Sequence, residues 1–325
     1  MRTARIAIAF VVAWMISMPA FAAGSSRSVK AIGLTVSDVD RAVAFYTQVL
    51  TFEKISDVEV AGADYEHLEG VFGLRIRVVT LKLGAEQLVL TQYLAPRGRA
   101  FPADSRSNDR WFQHAAIVVS DMDRAYAQLR ENHVEYASSG PQTLPAWNKA
   151  AGGIRAFYFR DPDEHYLELI EFPAGKGDPR WHRSDGRLFL GIDHSAIVVS
   201  DTARSEAFYR DLGFHVAGGS ENYGNEQEHL SNVFGAHLRI TSMRTESGPG
   251  IELLEYLAPR DGRPMSADVR PNDLVFWDVM IAEPDRSLLE HLGANPVATP
   301  RRELGFESAT IVRDPDGHAM ELVEQ

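Results

Sequence analysis

The chain has 325 residues, a formal net charge of −12 and no cysteine. That length predicts more than one hydrophobic core. The acidic balance argues against a nucleic-acid partner, whose phosphates call for basic stripes. The missing cysteine excludes disulfides, thiolate zinc sites, iron–sulfur clusters and cysteine nucleophiles.

Residues 1–22 read as a secretory leader. Arg2 and Arg5 form a basic start, Ile6 to Ile16 an apolar stretch, and Ala20-Phe21-Ala22 a small-residue cleavage site. The expectation is a periplasmic or secreted protein that is not held in a membrane once the leader is removed.

Beyond the leader, one pattern recurs four times. Apolar strands are expected near residues 30–36, 113–119, 193–199 and 276–282. Each ends at an aspartate that opens a helix: Asp38, Asp121, Asp201 and Asp285. Aspartate suits that position because its carboxylate accepts hydrogen bonds from the free first-turn amides. Behind Asp38, the residues Val39, Ala42, Val43, Tyr46, Val49 and Leu50 follow helical spacing. Met122, Ala125, Tyr126 and Leu129 do the same behind Asp121. Short strands broken by Gly and Pro turns follow each helix, so the repeating unit is a strand, a helix and about three strands.

These units are organised as a tandem duplication. Glu66-His67-Leu68 returns as Glu228-His229-Leu230, Tyr93-Leu94-Ala95-Pro96-Arg97 as Tyr256-Leu257-Ala258-Pro259-Arg260, and Arg160-Asp161-Pro162-Asp163 as Arg313-Asp314-Pro315-Asp316. Arg106-Ser107-Asn108-Asp109 likewise matches Arg270-Pro271-Asn272-Asp273. A first domain at 28–172 therefore holds modules 28–96 and 110–172. A linker rich in Gly, Pro and charge covers 173–187. The second domain at 188–325 holds modules 188–260 and 272–325.

Two of the opening strands are nearly identical. His114-Ala115-Ala116-Ile117-Val118-Val119-Ser120-Asp121 and His194-Ser195-Ala196-Ile197-Val198-Val199-Ser200-Asp201 differ only at their second position. Downstream of each lies an apolar strand carrying a glutamate, Glu168 and Glu252. Histidine and carboxylate presented from equivalent strands are the donors of a metal site. Alternation alone does not choose the carboxylates, since Glu171, Glu255 and Glu324 occupy the opposite faces of the same strands.

A βαβββ unit that opens on His-x-x-apolar and closes on Asp-Pro-Asp followed by an apolar-Glu-apolar strand resembles the vicinal oxygen chelate superfamily. That group includes glyoxalase I, extradiol dioxygenases and bleomycin-resistance proteins. The resemblance implies an α+β fold of four βαβββ modules paired into two half-open barrels around a divalent metal. It also implies ligands at the first residue of the opening strand and at the glutamate of the last. Those positions are Ala31 and Val89, His114 and Glu168, His194 and Glu252, and Asp278 and Glu321.

The implied metal ligands are thus His114, Glu168, His194 and Glu252, with Glu321 available to an alternative set, and the metal is Zn, Ni, Co, Mn or Fe. If modules two and three pair, the first four converge. If consecutive modules pair, His194, Glu252, Asp278 and Glu321 form a carboxylate-heavy site. Protonation of imidazoles with an ordinary pKa near 6.5 is expected to release the metal below about pH 6. The function implied is a metal-dependent lyase or isomerase of glyoxalase type, with Glu168 or Glu252 moving the proton and a small oxygenated molecule as substrate. An extradiol-type dioxygenase and a non-catalytic binding or resistance protein are the alternatives, and the chain is expected as a monomer or homodimer.

Other residues carry weaker signals. His67 and His229 occupy matching places that suit structure or a pocket wall. Arg97, Arg99, Arg260 and Arg263 suit an anionic substrate or a solvated loop. Trp111, Phe112 and Trp147 suit an aromatic wall or a core, and His165 and His318 suit a structural turn.

Overall fold

The computed structural model describes residues 27–324 apart from 184, 283, 285 and 300–302. The leader and Asp285 therefore lie outside the described residues.

Module one contains β1 (Ser28–Thr35), α1 (Val39–Gln48), β2 (Glu53–Ala61), α2 (Ala63–Glu69), β3 (Arg75–Leu83) and β4 (Glu86–Ala95). Module two contains β5 (Gln113–Val119), α3 (Met122–Glu131), β6 (Gln142–Thr143), β7 (Arg155–Arg160) and β8 (Tyr166–Glu171). Module three contains β9 (Phe189–Val198), α4 (Thr202–Asp211), β10 (His215–Tyr223), α5 (Asn225–Ser231), β11 (His237–Arg244) and β12 (Gly250–Ala258). Module four contains β13 (Trp277–Ala282), α6 (Arg286–Leu292), β14 (Val297–Ala298), β15 (Ser308–Arg313) and β16 (Ala319–Glu324). The third opening strand starts four residues earlier than expected, because Phe189 to Ile192 continue the apolar run and pair with β5. The short helices α2 and α5 were not expected, and they carry the repeated Glu-His-Leu motifs.

The capping chemistry is as the aspartates predict. Asp38 accepts from the Arg41 amide at 3.0 Å, Asp121 from Arg124 at 3.0 Å and Asp201 from Arg204 at 2.9 Å. The apolar stripes behind them, including Ala42, Tyr46, Ala125 and Leu129, are buried.

Two eight-stranded sheets form, in the orders β14-β15-β16-β13-β1-β4-β3-β2 and β10-β11-β12-β9-β5-β8-β7-β6. Module one therefore pairs with four, and two with three. The joins are the antiparallel contacts of β1 with β13 and of β5 with β9. Each barrel takes one module from each half of the duplication. Strand alternation then gives every opening strand two roles: Ile117 packs into a core shared by both sheets, while Ala116 and Val118 face the other way.

Arg99 and Arg263 are structural struts. Arg99 reaches Asp273 at 2.6 Å and Arg263 reaches the fully buried Asp109 at 2.7 Å, so each joins a module's end to the start of the module it pairs with. Glycine lets these segments touch. A Cβ at Gly262 would lie 1.8 Å from the Asn108 carbonyl oxygen, and one at Gly98 would lie 2.0 Å from that of Asn272. Gly262→Ala is accordingly expected to destabilise the protein by about 1–3 kcal/mol, because backbone cannot yield as a side chain can. Gly140→Ala, with nothing nearby, serves as control in a thermal melt. Equal melting temperatures for the two variants would refute the close-approach account.

Asp-Pro-Asp turns join the two sheets, each within one half of the duplication. Asp163 accepts from the Ser37 amide at 3.0 Å, and Asp316 from the Ser200 amide at 2.8 Å. His165 and His318 lock these turns, with Nδ1 at 2.9 Å from Asp161 and 3.0 Å from Asp314.

Candidate metal centre

In the sheet of modules two and three, register brings the predicted donors together. The parallel pairing of β5 with β8 sets Ala116 opposite Glu168, and that of β9 with β12 sets Ala196 opposite Glu252. The antiparallel join sets His114 opposite Ala196 and Ala116 opposite His194. Both histidines and both glutamates therefore project from the same face around the join, and small alanines sit between them.

Three of the four converge. Nε2 of His114 lies 3.0 Å from Glu168 Oε2, and Nε2 of His194 lies 3.5 Å from the same oxygen. Ligand atoms of His114, Glu168 and His194 all fall within 4.8 Å of one another, the only such group among the described residues. Glu252 touches the edge of this group, 3.5 Å from His194 Nε2, and its side chain is 23 % exposed against 7 % for Glu168. Glu321 belongs to the other sheet and cannot join them, which corrects its place among the ligands and removes the carboxylate-heavy alternative.

Whether these residues fit a divalent metal is decided by their unmet hydrogen-bonding capacity. Nε2 of both histidines is buried without a hydrogen-bond partner, despite the short approach to Glu168. Buried polar atoms rarely stay unsatisfied. Two imidazole lone pairs and a carboxylate aimed at one point are the donor set a first-row metal takes. The residues fit the group.

Surrounding residues hold the donors in place. Asp193 Oδ2 bonds His194 Nδ1 at 2.9 Å, which turns Nε2 toward the centre. Asp193 is itself fixed by Trp181 Nε1 at 2.9 Å and Arg244 at 2.6 Å. The Tyr158 ring packs 4.8 Å from the His114 ring, and Phe112 packs 5.5 Å from it. Burial opposes charging His194, but Glu252, Asp193 and Glu168 outweigh it and lift its pKa to about 10. Burial would likewise raise Glu168, yet the two imidazoles hold it well below the usual carboxylate range.

The carboxylates on the opposite faces have partners of their own. Glu171 accepts from the Met122 amide at 3.0 Å, and Glu255 from Thr202 Oγ1 at 2.6 Å, so both tie down helix starts. Glu324 bonds Ser308 Oγ. His67 and His229 are exposed on α2 and α5 and stay out of the centre. Trp147 is half exposed and stacks on Tyr223, while Trp111 donates to Ser105.

The linker is more than a connector. Its 3-10 turn, Pro179–His182, buries Trp181 and sets Arg180 in an ion pair with the buried Glu86 of module one. Both arginines, Arg180 and Arg244, line the cavity above the centre, which has a volume of about 820 Å³. Asp193 is the residue that sequence reasoning missed. Its signal was the replacement of Gln113 by Asp193 in the otherwise repeated opening strand.

A sequence profile of the Glyoxalase/Bleomycin resistance protein/Dioxygenase superfamily matches residues 28–169 and 191–322. The chain belongs to that superfamily. Among curated relatives, a 2-epi-5-epi-valiolone epimerase from an Actinomyces species is 33% identical over 163 residues, covering 49% of this chain and 85% of that protein. Glyoxalase I from Zea mays superposes with a TM-score of 0.58 at 16% identity, over 92% of each chain. A putative dioxygenase from Bacillus subtilis superposes with a TM-score of 0.54 at 13% identity, over 93% of this chain and 86% of its own. These likenesses at low identity establish the shared fold of this superfamily member.

Proposed function

We propose that this superfamily member is a divalent-metal-dependent isomerase or lyase acting on a small oxygenated substrate. The carrying observation is the buried His114–Glu168–His194 group, with its two unsatisfied Nε2 atoms, at the cavity floor. A bound metal would supply Lewis-acid stabilisation of negative charge developing on substrate oxygen. His114, His194 and Glu168 would hold it. Glu252, at the edge of the group and open to the cavity, would take a proton from the carbon next to a carbonyl and return it. Removing and returning such a proton inverts or relocates a centre, which is the chemistry an epimerase needs, and the epimerase relative supports this class.

The test combines metal analysis of the purified protein with a panel of small hydroxyketones incubated in D2O. The expected result is one first-row metal per chain and deuterium uptake at carbon that chelation abolishes. Metal-bound protein that exchanges no panel member and consumes oxygen instead would favour a second reading. Two imidazoles and one carboxylate are also the facial set of iron-dependent oxygenases, and His114, His194 and Glu168 match that composition.

Export is part of the proposal, supported by the order of Arg2, the Ile6 to Ile16 stretch and Ala20-Phe21-Ala22. N-terminal sequencing of protein recovered outside the cytoplasm is expected to begin near Ala23. An intact Met1 there would exclude cleavage.

A further inference from the structure

The sheet of modules one and four encloses a cavity of its own, of about 300 Å³. At the places taken by histidine and glutamate in the other sheet, this sheet carries Ala31, Val89, Asp278 and Glu321, so none of the four supplies an imidazole. Glu69, the last residue of α2, lines the same cavity and accepts from Tyr93 Oη at 2.8 Å.

Two observations show a built site. Glu321 is only 9% exposed and lines the cavity, yet its carboxylate has no hydrogen bond or ion pair with any described residue. Register also sets Gly33 opposite Asp278, and a Cβ at Gly33 would fall 2.3 Å from Asp278 Oδ2. The other sheet carries Ala116 at the corresponding position, opposite His194. The missing methyl at Gly33 makes room for the Asp278 carboxylate.

No described Lys, Arg or His lines this cavity, and much of its wall is apolar, with Phe276, Phe306, Met280 and Ile76. Burying a bare carboxylate is unfavourable by several kcal/mol or more, so these carboxyls either hold their protons or ionise against a cation. A metal ion would need at least three donors drawn to one point, and Glu69, Asp278 and Glu321 do not form such a group. A ligand with several directed N–H donors spans separated carboxylates better.

We propose that the second cavity binds a small organic ammonium ion with an apolar body, its N–H groups donated to Asp278 and Glu321. Burial lifts Glu69 and Asp278 to about 7, with the Glu69 charge adding to the effect on Asp278. Burial and both neighbours raise Glu321 well above the usual range. Among the described residues, the titratable groups facing this floor are Glu69, Tyr93, Asp278, Glu303 and Glu321. Since the ionised carboxylates receive the ammonium, affinity rises as pH increases from 6 to 8.

The experiment is calorimetric titration of the intact protein with phenethylammonium and hexylammonium chlorides, with phenethyl alcohol as the neutral counterpart. At pH 8 at least one ammonium is expected to bind once per chain, tenfold or more tighter than the alcohol, and to weaken tenfold or more at pH 6. Binding is expected to persist in His114→Ala, which separates this cavity from the metal centre. It is expected to fall at least tenfold in Asp278→Asn combined with Glu321→Gln, a near-isosteric pair whose melting temperature reports folding. Gly33→Ala, which leaves every carboxyl in place, is expected to weaken binding in the same direction. Equal affinity for the alcohol, undiminished binding in the double variant, or no ammonium binding at millimolar concentration would overturn the proposal. So would uptake of Mn²⁺ or Ca²⁺ that His114→Ala keeps and the double variant loses.

Discussion

His194→Ala is expected to weaken metal binding by at least about 100-fold, since loss even of an outer partner weakens such a site by about 10–100-fold. His194 holds the centre from both ends: Nε2 faces Glu168 and Glu252, and Nδ1 is fixed by Asp193. Removing it leaves Glu168 and Glu252 without the imidazole that lies 3.5 Å from each, and Asp193 without its histidine partner. Metal content after dialysis checks the result, and retention of wild-type content would show that His194 is not a ligand. The pH dependence has a definite sign. A proton on His194 with its pKa lifted to about 10 competes with the metal, so apparent affinity rises with pH through neutrality. Each unit below that pKa lowers it by about tenfold for this one proton. The sequence expectation, release below about pH 6, used an unperturbed imidazole; the three carboxylates around His194 move that release upward.

What could be read from the sequence was the local chemistry. Asp38, Asp121 and Asp201 announce helix starts because the carboxylate bonds an amide three residues away, and no distant contact is needed. The match of His114 with Glu168 and of His194 with Glu252 came from the resemblance, and the parallel registers of β5 with β8 and β9 with β12 set them on one face. Module pairing was not legible. It depends on Arg99 meeting Asp273 and Arg263 meeting Asp109, contacts between segments far apart in sequence whose motifs look like exposed loops. Trp181 was hidden for a related reason: a segment rich in Gly, Pro and charge reads as a linker, although one of its residues packs behind Asp193. Glu69 escaped notice because α2 follows a glycine with no side-chain cap, so nothing marked a helix that would carry a carboxylate into the second cavity.

Glu252→Gln is expected to separate chemistry from metal binding. Glu168 sits between two imidazoles and is nearly inaccessible, the position of a ligand. Glu252 touches only His194 among the predicted donors, stands apart from the three-residue group and opens into the cavity. A proton-transfer group must reach its substrate; both glutamates line the cavity, and Glu252, at 23% exposure against 7% for Glu168, is the more open of the two. Its amide variant keeps the shape and loses the basic oxygen, so turnover is expected to fall by about 10²–10⁴-fold with metal content unchanged. Glu168→Gln is expected to lose metal and turnover together, because a neutral amide is a poorer donor at the centre of the group. The readouts are metal content and deuterium uptake by the same hydroxyketone in D2O. If Glu252→Gln exchanges within a few-fold of wild type, the proton passes through another residue. If it also loses its metal, Glu252 is a fourth ligand, and the centre has the two-histidine, two-carboxylate composition that the duplicated strands present.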